Sequence, residues 1–372
     1  MKMRKIAAAV CAVIMAAACV SCGVTEPVVK PDSDTAKITE AEETTVSETV
    51  SGEVSETPEV TEAVDPTSLE HNPLTGEYGF NPEAVGKRPV AVMINNIDVS
   101  LPQYGISSAD YIYEAVVEGG ITRLMAVFAD YTSVPTLCSI RSCRYYYPLI
   151  ANGLDAIYLH WGTDMTIAAE TLSRLGIDRF DGGDGWGMFY YDQNRLNNYA
   201  QEHSGCLDGR QIADTISGAG YRTEAKNGGA DTMKFAEGTD FIDISDEACE
   251  SAVVTFSYSY FSTFTYDSES KTYLKQHSGS PHMDAAAEKQ LAFTNVFALK
   301  TWTAPRENDG YHMDVGLSSG EGYYFSGGKV QKISWSKADD YSNFKFTDYE
   351  TGEEITVNRG KCYIGLCDSV SF

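Results

Sequence analysis

Short apolar runs broken by Gly, Pro, Asn and Asp fill the chain from about residue 74 onward. "RPVAVMINN" (88–96) is such a run and predicts a buried strand. "ADYIYEAVVEGGITRLMAVFAD" predicts two strands about a Gly119-Gly120 turn, a pair suited to a tight hairpin. Period-two alternation puts Tyr111, Tyr113, Ala115 and Val117 on one face, and Ile112, Glu114, Val116 and Glu118 on the other. Arg123 then falls just past the turn, close to Glu118. "LDAIYLHWG" predicts a further strand that ends at His160. Helical spacing appears in "TDMTIAAETLSRLG", with Thr163 or Asp164 as cap, Ala168, Leu172 and Leu175 on one stripe, and Gly176 as the stop. "LDGRQIADTISGAG" predicts a second helix with the same kind of glycine stop.

After a loop-like stretch, "EAKNGGADTMKFAEG", the pattern changes. "SAVVTFSYSYFSTFTYD", "KTYLKQH", "AFTNVFALKTW", "EGYYFSGGKVQKISW" and "EEITVNRGKCYIGLC" are short β-rich runs with little helix between them. The expected class is α+β: a mixed α/β N-terminal domain (74–223), a linker (224–245) and a mainly antiparallel β C-terminal domain (246–372).

The chain start has a different character. Lys2, Arg4 and Lys5 precede an apolar run too short to span a bilayer, which closes on "AAACVSCG". A small residue before Cys is the pattern of a lipoprotein signal. Cys22 is the expected lipidation site, with Cys19 as the alternative, so 1–22 reads as a signal peptide. Residues 23–72 contain no Phe, Trp or Tyr, and acids outnumber lysines thirteen to two. Such a composition buries no core and predicts an unstructured tether over 23–73. About fifty residues of coil span roughly 40 Å. The expected location is the cell membrane, lipid-anchored on the extracytoplasmic face.

The net charge of −25 argues against a nucleic-acid partner, which needs clustered cations. Three of the nine cysteines lie in the signal region. Cys138/Cys143 and Cys362/Cys367 are each five apart in strand-like text, too far to bridge within an extended strand. No HExxH is present, the CxxC at Cys19–Cys22 lies in the signal region, and nothing in the sequence asks for a metal or a cofactor.

Candidate chemistry gathers where scarce cations meet acids and rings. Asp110, Glu114 and Glu118 face Arg123, Arg141 and Arg144 on two neighbouring segments. Either these groups neutralise one another as an ionic lock, or one arginine is left for an anion. Ser142 is placed to cap a short helix with Arg144 in its first turn, a favourable anion site, so Arg144 is the arginine expected to be free. Tyr145, Tyr146 and Trp161 offer an aromatic platform for a sugar or a base. Glu114 or Glu118 with His160 would suit an acid–base pair. His282 and Asp284, in "PHMD", mark a candidate site in the second domain.

These residues also carry a family resemblance. "RPVAVMINN…PQYGISSADYIYEAVVEGGITRLMAVF…SIRSCRYYY…LDAIYLHWG" resembles the YerB-type lipoproteins of Gram-positive bacteria, where "PQ.GLS.AD..YE..VEGGITR…GPVRSAR" recurs. The later "GSPHMD…QLAFTNVFAL…GEGYYFSGGKVQKISWSK" is similar to that family's C-terminal part. The resemblance covers nearly everything after the tether and implies two domains of unknown function, with no activity attached. It marks Glu114, Glu118, Gly119, Gly120, Arg123, Arg141, Ser142, Arg144, His282 and Asp284. The family's Gly-Pro before the arginine pair is Cys138-Ser139 here, and its Pro-His-Asn segment has no counterpart at His203.

The reading favoured by these residues is a surface lipoprotein that binds an anionic or carbohydrate-like cell-envelope ligand, such as a cell-wall fragment. An envelope hydrolase and a protein-interaction scaffold are the alternatives. A carboxyl with a raised pKa in a deep cleft would favour the hydrolase, and a shallow aromatic groove with paired carboxylates would favour the binder.

Overall fold

A computed structural model describes residues 64–372. Cys22, the alternative Cys19 and residues 23–63 of the expected tether lie outside the described residues. Residues 64–73, read as the end of the tether, are folded. Asp65 caps a 3-10 turn at Pro66–Ser68, His71 bridges to Tyr78, and the Asn72 amide donates to Asp110 at 2.9 Å. Composition averaged over fifty residues does not register such local polar caps.

The N-terminal part contributes strands β1 (Val90–Asn95), β2 (Tyr111–Val116), β3 (Thr122–Phe128), β4 (Leu137–Cys138), β5 (Ile157–His160), β6 (Arg179–Asp181), β7 (Phe189–Tyr191) and β8 (Gly205–Leu207). Its helices are α1 (Tyr146–Gly153), α2 (Ile167–Leu175), α3 (Gln193–Asn198) and α4 (Ile212–Ala219). The predicted helices end as expected, with Gly176 and Gly220 in left-handed conformations (φ 59° and 69°) that suit glycine. Asp164 does not cap α2. It fixes the preceding turn by accepting from the Thr166 N–H, and the helix begins at Ile167. Ser142 caps no helix either. α1 starts at Tyr146, with Pro148 in its first turn, where no N–H partner is lost.

β2 and β3 form the predicted antiparallel hairpin, Val116 opposite Thr122, with Glu118–Gly120 in a 3-10 turn rather than a two-residue loop. Both faces of β2 are buried, so Glu114 and the tyrosines are equally enclosed. One ten-stranded sheet joins the two parts of the chain. Its order is Lys345–Asp348, Lys329–Ser336, Ser319–Ser326, Asn295–Lys300 and Cys362–Cys367, followed by β2, β3, β1, β5 and β6. The join is parallel: Tyr111 lies opposite Cys362 and Ala115 opposite Leu366. Cys362–Cys367 also runs parallel to Asn295–Lys300, within an otherwise antiparallel C-terminal part. A second sheet follows the order Ser280–Pro281, Thr272–His277, Phe261–Asp267, Ser251–Thr255 and Ser369–Ser371. The linker carries no helix or strand but touches both parts, with bridges at Lys87–Glu224 and Phe235–Val357.

Cys138 on β4 and Cys206 on the adjacent β8 form a disulfide. Cys143, Cys249, Cys362 and Cys367 are buried thiols, so neither five-apart pair is bridged.

Candidate functional site

The three arginines are brought together, and each is partnered. Arg123 is buried, donates to the Ser142 carbonyl at 2.8 Å, and lies 3.5 Å from Glu118 Oε2. Arg144 binds Glu118 Oε1 through Nε. Arg141 pairs with Glu202 at 3.1 Å and also donates to its carbonyl. Burial alone would raise Glu118, but Arg123 and Arg144 outweigh it and hold the carboxyl below its ordinary range. Arg144 is therefore not the free cation expected from spacing. The expectation missed that Glu118 leaves the strand at the hairpin turn, within reach of two guanidiniums. The C-terminal part adds His312, 3.7 Å from Glu118, and Arg306, 3.3 Å from Asp164.

The acid–base candidates are separated. His160 is buried; its Nδ1 lies 2.9 Å from the Gly162 carbonyl and 3.5 Å from Asp181, and no glutamate is among its partners. Burial pushes its imidazole down despite Asp181. Glu114 sits elsewhere, in a sealed polar network. Its Oε1 accepts from Thr122 (2.7 Å) and Asn96 (3.1 Å). Its Oε2 accepts from Tyr363 (2.7 Å) and Ser262 (3.1 Å), and Lys275 lies 3.3 Å away. Burial would raise this carboxyl, but Lys275 and the hydroxyls bring the net shift down. Lys275 Nζ donates to His282 Nδ1 at 3.0 Å, so His282 Nε2 carries the proton given to Gln103 Oε1 at 2.8 Å. His277 Nε2 donates to Asp98 Oδ1 at 2.8 Å. Burial lowers both imidazoles, and the nearby Lys275 charge adds to it. Asp284 takes the Gly105 and Ser107 N–H groups, both at 2.9 Å, and serves as a clasp between the two parts.

Lys275, His277, Gln103, Asn96 and Tyr363 escaped the sequence reading. A signal was present: in "KTYLKQH" Tyr273, Lys275 and His277 alternate, and that face is the buried one while Leu274 is only half-buried. Asp110 is the one candidate carboxyl that burial pushes up, to about 6. Both its oxygens accept structural hydrogen bonds, from Asn72 and from the Ala129 N–H.

The aromatic platform divides. Tyr146 is core, its hydroxyl donating to the Val116 carbonyl at 2.6 Å. Tyr145 is half-buried under Arg306, with its hydroxyl against Val315. Trp161 alone reaches an open surface. A Cβ added at Gly182 would lie 2.5 Å from the indole and one at Gly205 2.7 Å, so these two glycines form its seat. Tyr191 tilts against the indole at 4.7 Å and is partly exposed. Together with Ile140, Arg141, Gln201 and Glu202 they line a shallow groove of ≈ 160 Å³. Among the described residues no group of three or more metal-ligating side chains converges, and no helix is long and apolar enough to cross a membrane.

Known proteins share this architecture. A solved structure of YerB from Bacillus subtilis matches with a TM-score of 0.69 at 24% identity, covering 82% of this chain and 100% of that one, a likeness that shows the fold. In sequence, the chain is 27% identical over 301 residues to the Bacillus subtilis (strain 168) protein named "Putative lipoprotein YerB", covering 79% of this chain and 85% of that relative. Residues 74–222 match the N-terminal domain, and residues 252–364 the C-terminal domain, of a protein of unknown function, DUF3048. Both halves are thus accounted for, joined at β2 and Cys362–Cys367, and the chain belongs to the DUF3048 family.

Proposed function

We propose that this chain is a lipid-anchored binding protein of the cell envelope, whose Trp161–Tyr191 groove takes a carbohydrate-like ligand. The carrying observation is the indole seated between Gly182 and Gly205, with Tyr191 beside it and the Arg141–Glu202 pair at the rim. An aromatic face covers the C–H face of a sugar ring, and the charged pair and Gln201 offer donors and acceptors to its hydroxyls. Glu202 already occupies the Arg141 guanidinium, which supports a polyhydroxylated ligand over a simple anion. Glu114 and Glu118 are held ionised and fully engaged, so neither has a proton to give as a general acid, and the hydrolase reading loses its pair. The lipoprotein name of the Bacillus relative supports the anchor at Cys22, with Cys19 as the alternative.

Calorimetry with soluble cell-wall oligosaccharides tests the groove. Wild type should bind saturably, and Tyr191→Ala and Glu202→Gln should each weaken binding about tenfold, or ~1.4 kcal/mol, with melting unchanged. No heat with any glycan fragment would end the proposal. Intact-mass analysis of the protein from a bacterial membrane tests the anchor, which requires a diacylglyceryl cysteine at the mature N-terminus.

A further inference from the structure

A cavity larger than the groove lies apart from it, where the loop after β1 meets the hairpin turn at residues 277–281. It measures ≈ 500 Å³, within the range of small-molecule sites. Asp98, His277 and His282 supply its polar wall, and Leu101, Pro102 and Met283 an apolar one. Its floor is rigid: His282 is fixed by Lys275 and Gln103, and Lys275 by Glu114. Both halves of the chain build it, since Asp98, Leu101 and Pro102 precede the linker and the other three follow it.

Its charge selects the ligand. Among the described residues no lysine or arginine lines it. Lys275 lies one layer behind, fully buried and held by Glu114 and His282. Burial and that neighbouring ammonium keep His277 and His282 neutral at pH 7. Among the described residues Asp98 is then the only charge at the wall. Its Oδ1 accepts from His277, and its Oδ2 has no protein partner among the described residues. We propose that this cavity is a second ligand site, for a small molecule carrying a protonated amine on a compact, partly apolar body. The amine meets Asp98 Oδ2, the neutral imidazole face of His277 lies alongside, and the body covers Leu101, Pro102 and Met283.

Amino sugars and aliphatic diamines share that chemistry. The probes are therefore glucosamine and 1,4-diaminobutane, with N-acetylglucosamine as the amine-blocked control. Titration of the full-length chain in detergent micelles, followed by ligand-observed NMR, should give saturable binding of at least one amine, with a Kd on the order of 1 mM. The control should not bind at this site. Which amine binds names the source. Asp98→Asn keeps an oxygen facing His277 and should weaken amine binding at least tenfold. Met283→Trp fills the cavity without touching the charge and should abolish it, which decides the matter if the Asp98→Asn variant melts early. Tyr191→Ala should leave amine binding intact, which separates this site from the groove. The proposal is overturned if neither amine saturates wild type, if the acetylated control binds the groove-disabled Tyr191→Ala variant as well as the amines do, or if both cavity variants bind like wild type.

Discussion

The Lys275 ammonium lies 3.3 Å from the Glu114 carboxylate, with both side chains sealed from solvent. Glu114 comes from β2 and Lys275 from strand Thr272–His277, so the ion pair spans the two halves of the chain. A buried pair of this kind adds little net stability over an apolar replacement, but removing one member strands the other. Lys275→Met should therefore cost about 3–5 kcal/mol in urea unfolding. Adding Glu114→Gln should restore part of that loss. An unchanged urea midpoint for Lys275→Met would contradict the geometry.

The arginines should divide in the order opposite to the one spacing suggests. Arg144→Ala removes a charged partner from buried Glu118 and leaves Arg123 at 3.5 Å and His312 at 3.7 Å, a loss of roughly 1.5–3 kcal/mol. Arg141 pairs with Glu202, whose side chain is 58% exposed, so Arg141→Ala should cost about 1 kcal/mol or less. Thermal melts of the two variants side by side check this. Equal shifts would mean that Glu118 is not the anchor described here.

Stability should begin to fall at mildly acidic pH, before Glu114 and Glu118 titrate, with Asp110, raised to about 6 in the folded chain, offsetting part of the loss below that pH. His277 and His282 have folded pKa values lowered by burial and by Lys275. The unfolded chain therefore takes up protons below about pH 6.5 that the folded chain refuses. Their contribution is complete above that pH and declines as pH drops toward the folded values, by up to about 1.4 kcal/mol per pH unit for each ring. Glu114 and Glu118, also lowered, add a second loss below about pH 4.3. The urea midpoint at pH 7.5, 6.0 and 5.0 measures the first phase. His282→Gln should flatten it, and a wild-type midpoint level across that span would refute it.

The two family domains should not fold apart. Cys362–Cys367 sits between Asn295–Lys300 and β2, parallel to both, and all six of its residues are buried. Residues 246–372 alone would expose that strand as a bare apolar edge. The isolated fragment should aggregate or lack a cooperative melt, while the intact chain unfolds in one transition. A soluble fragment with dispersed amide resonances would show that the join is dispensable.

Local pattern carried much of this architecture. The runs at 88–96 and 111–128 have the apolar content and turn residues of a strand and a hairpin, and they form them. The helices stop at Gly176 and Gly220 because glycine takes the left-handed conformation at little cost. Cys362 and Cys367, at the two ends of one strand, stay unbridged because extended backbone holds them apart. The family text was likewise readable residue by residue.

Partnership was not readable, because it is settled between segments far apart in the chain. Charge count placed three arginines near three acids, but only the fold gives Glu118 to both Arg123 and Arg144 and sends Arg141 to Glu202. Three tyrosines in a row look like a platform until packing takes Tyr146 into the core and two glycines from other strands and loops leave Trp161 at the surface. Lys275 reads as an ordinary solvent-facing lysine on a short strand. It is buried because a carboxylate 161 positions earlier lies opposite it (275 − 114). Hydrophobic periodicity reports which face of an element is apolar. Whether a charged face meets water or an opposite charge depends on the element packed against it, and that is decided only when the second sheet, with Lys275, meets the ten-stranded sheet, with Glu114.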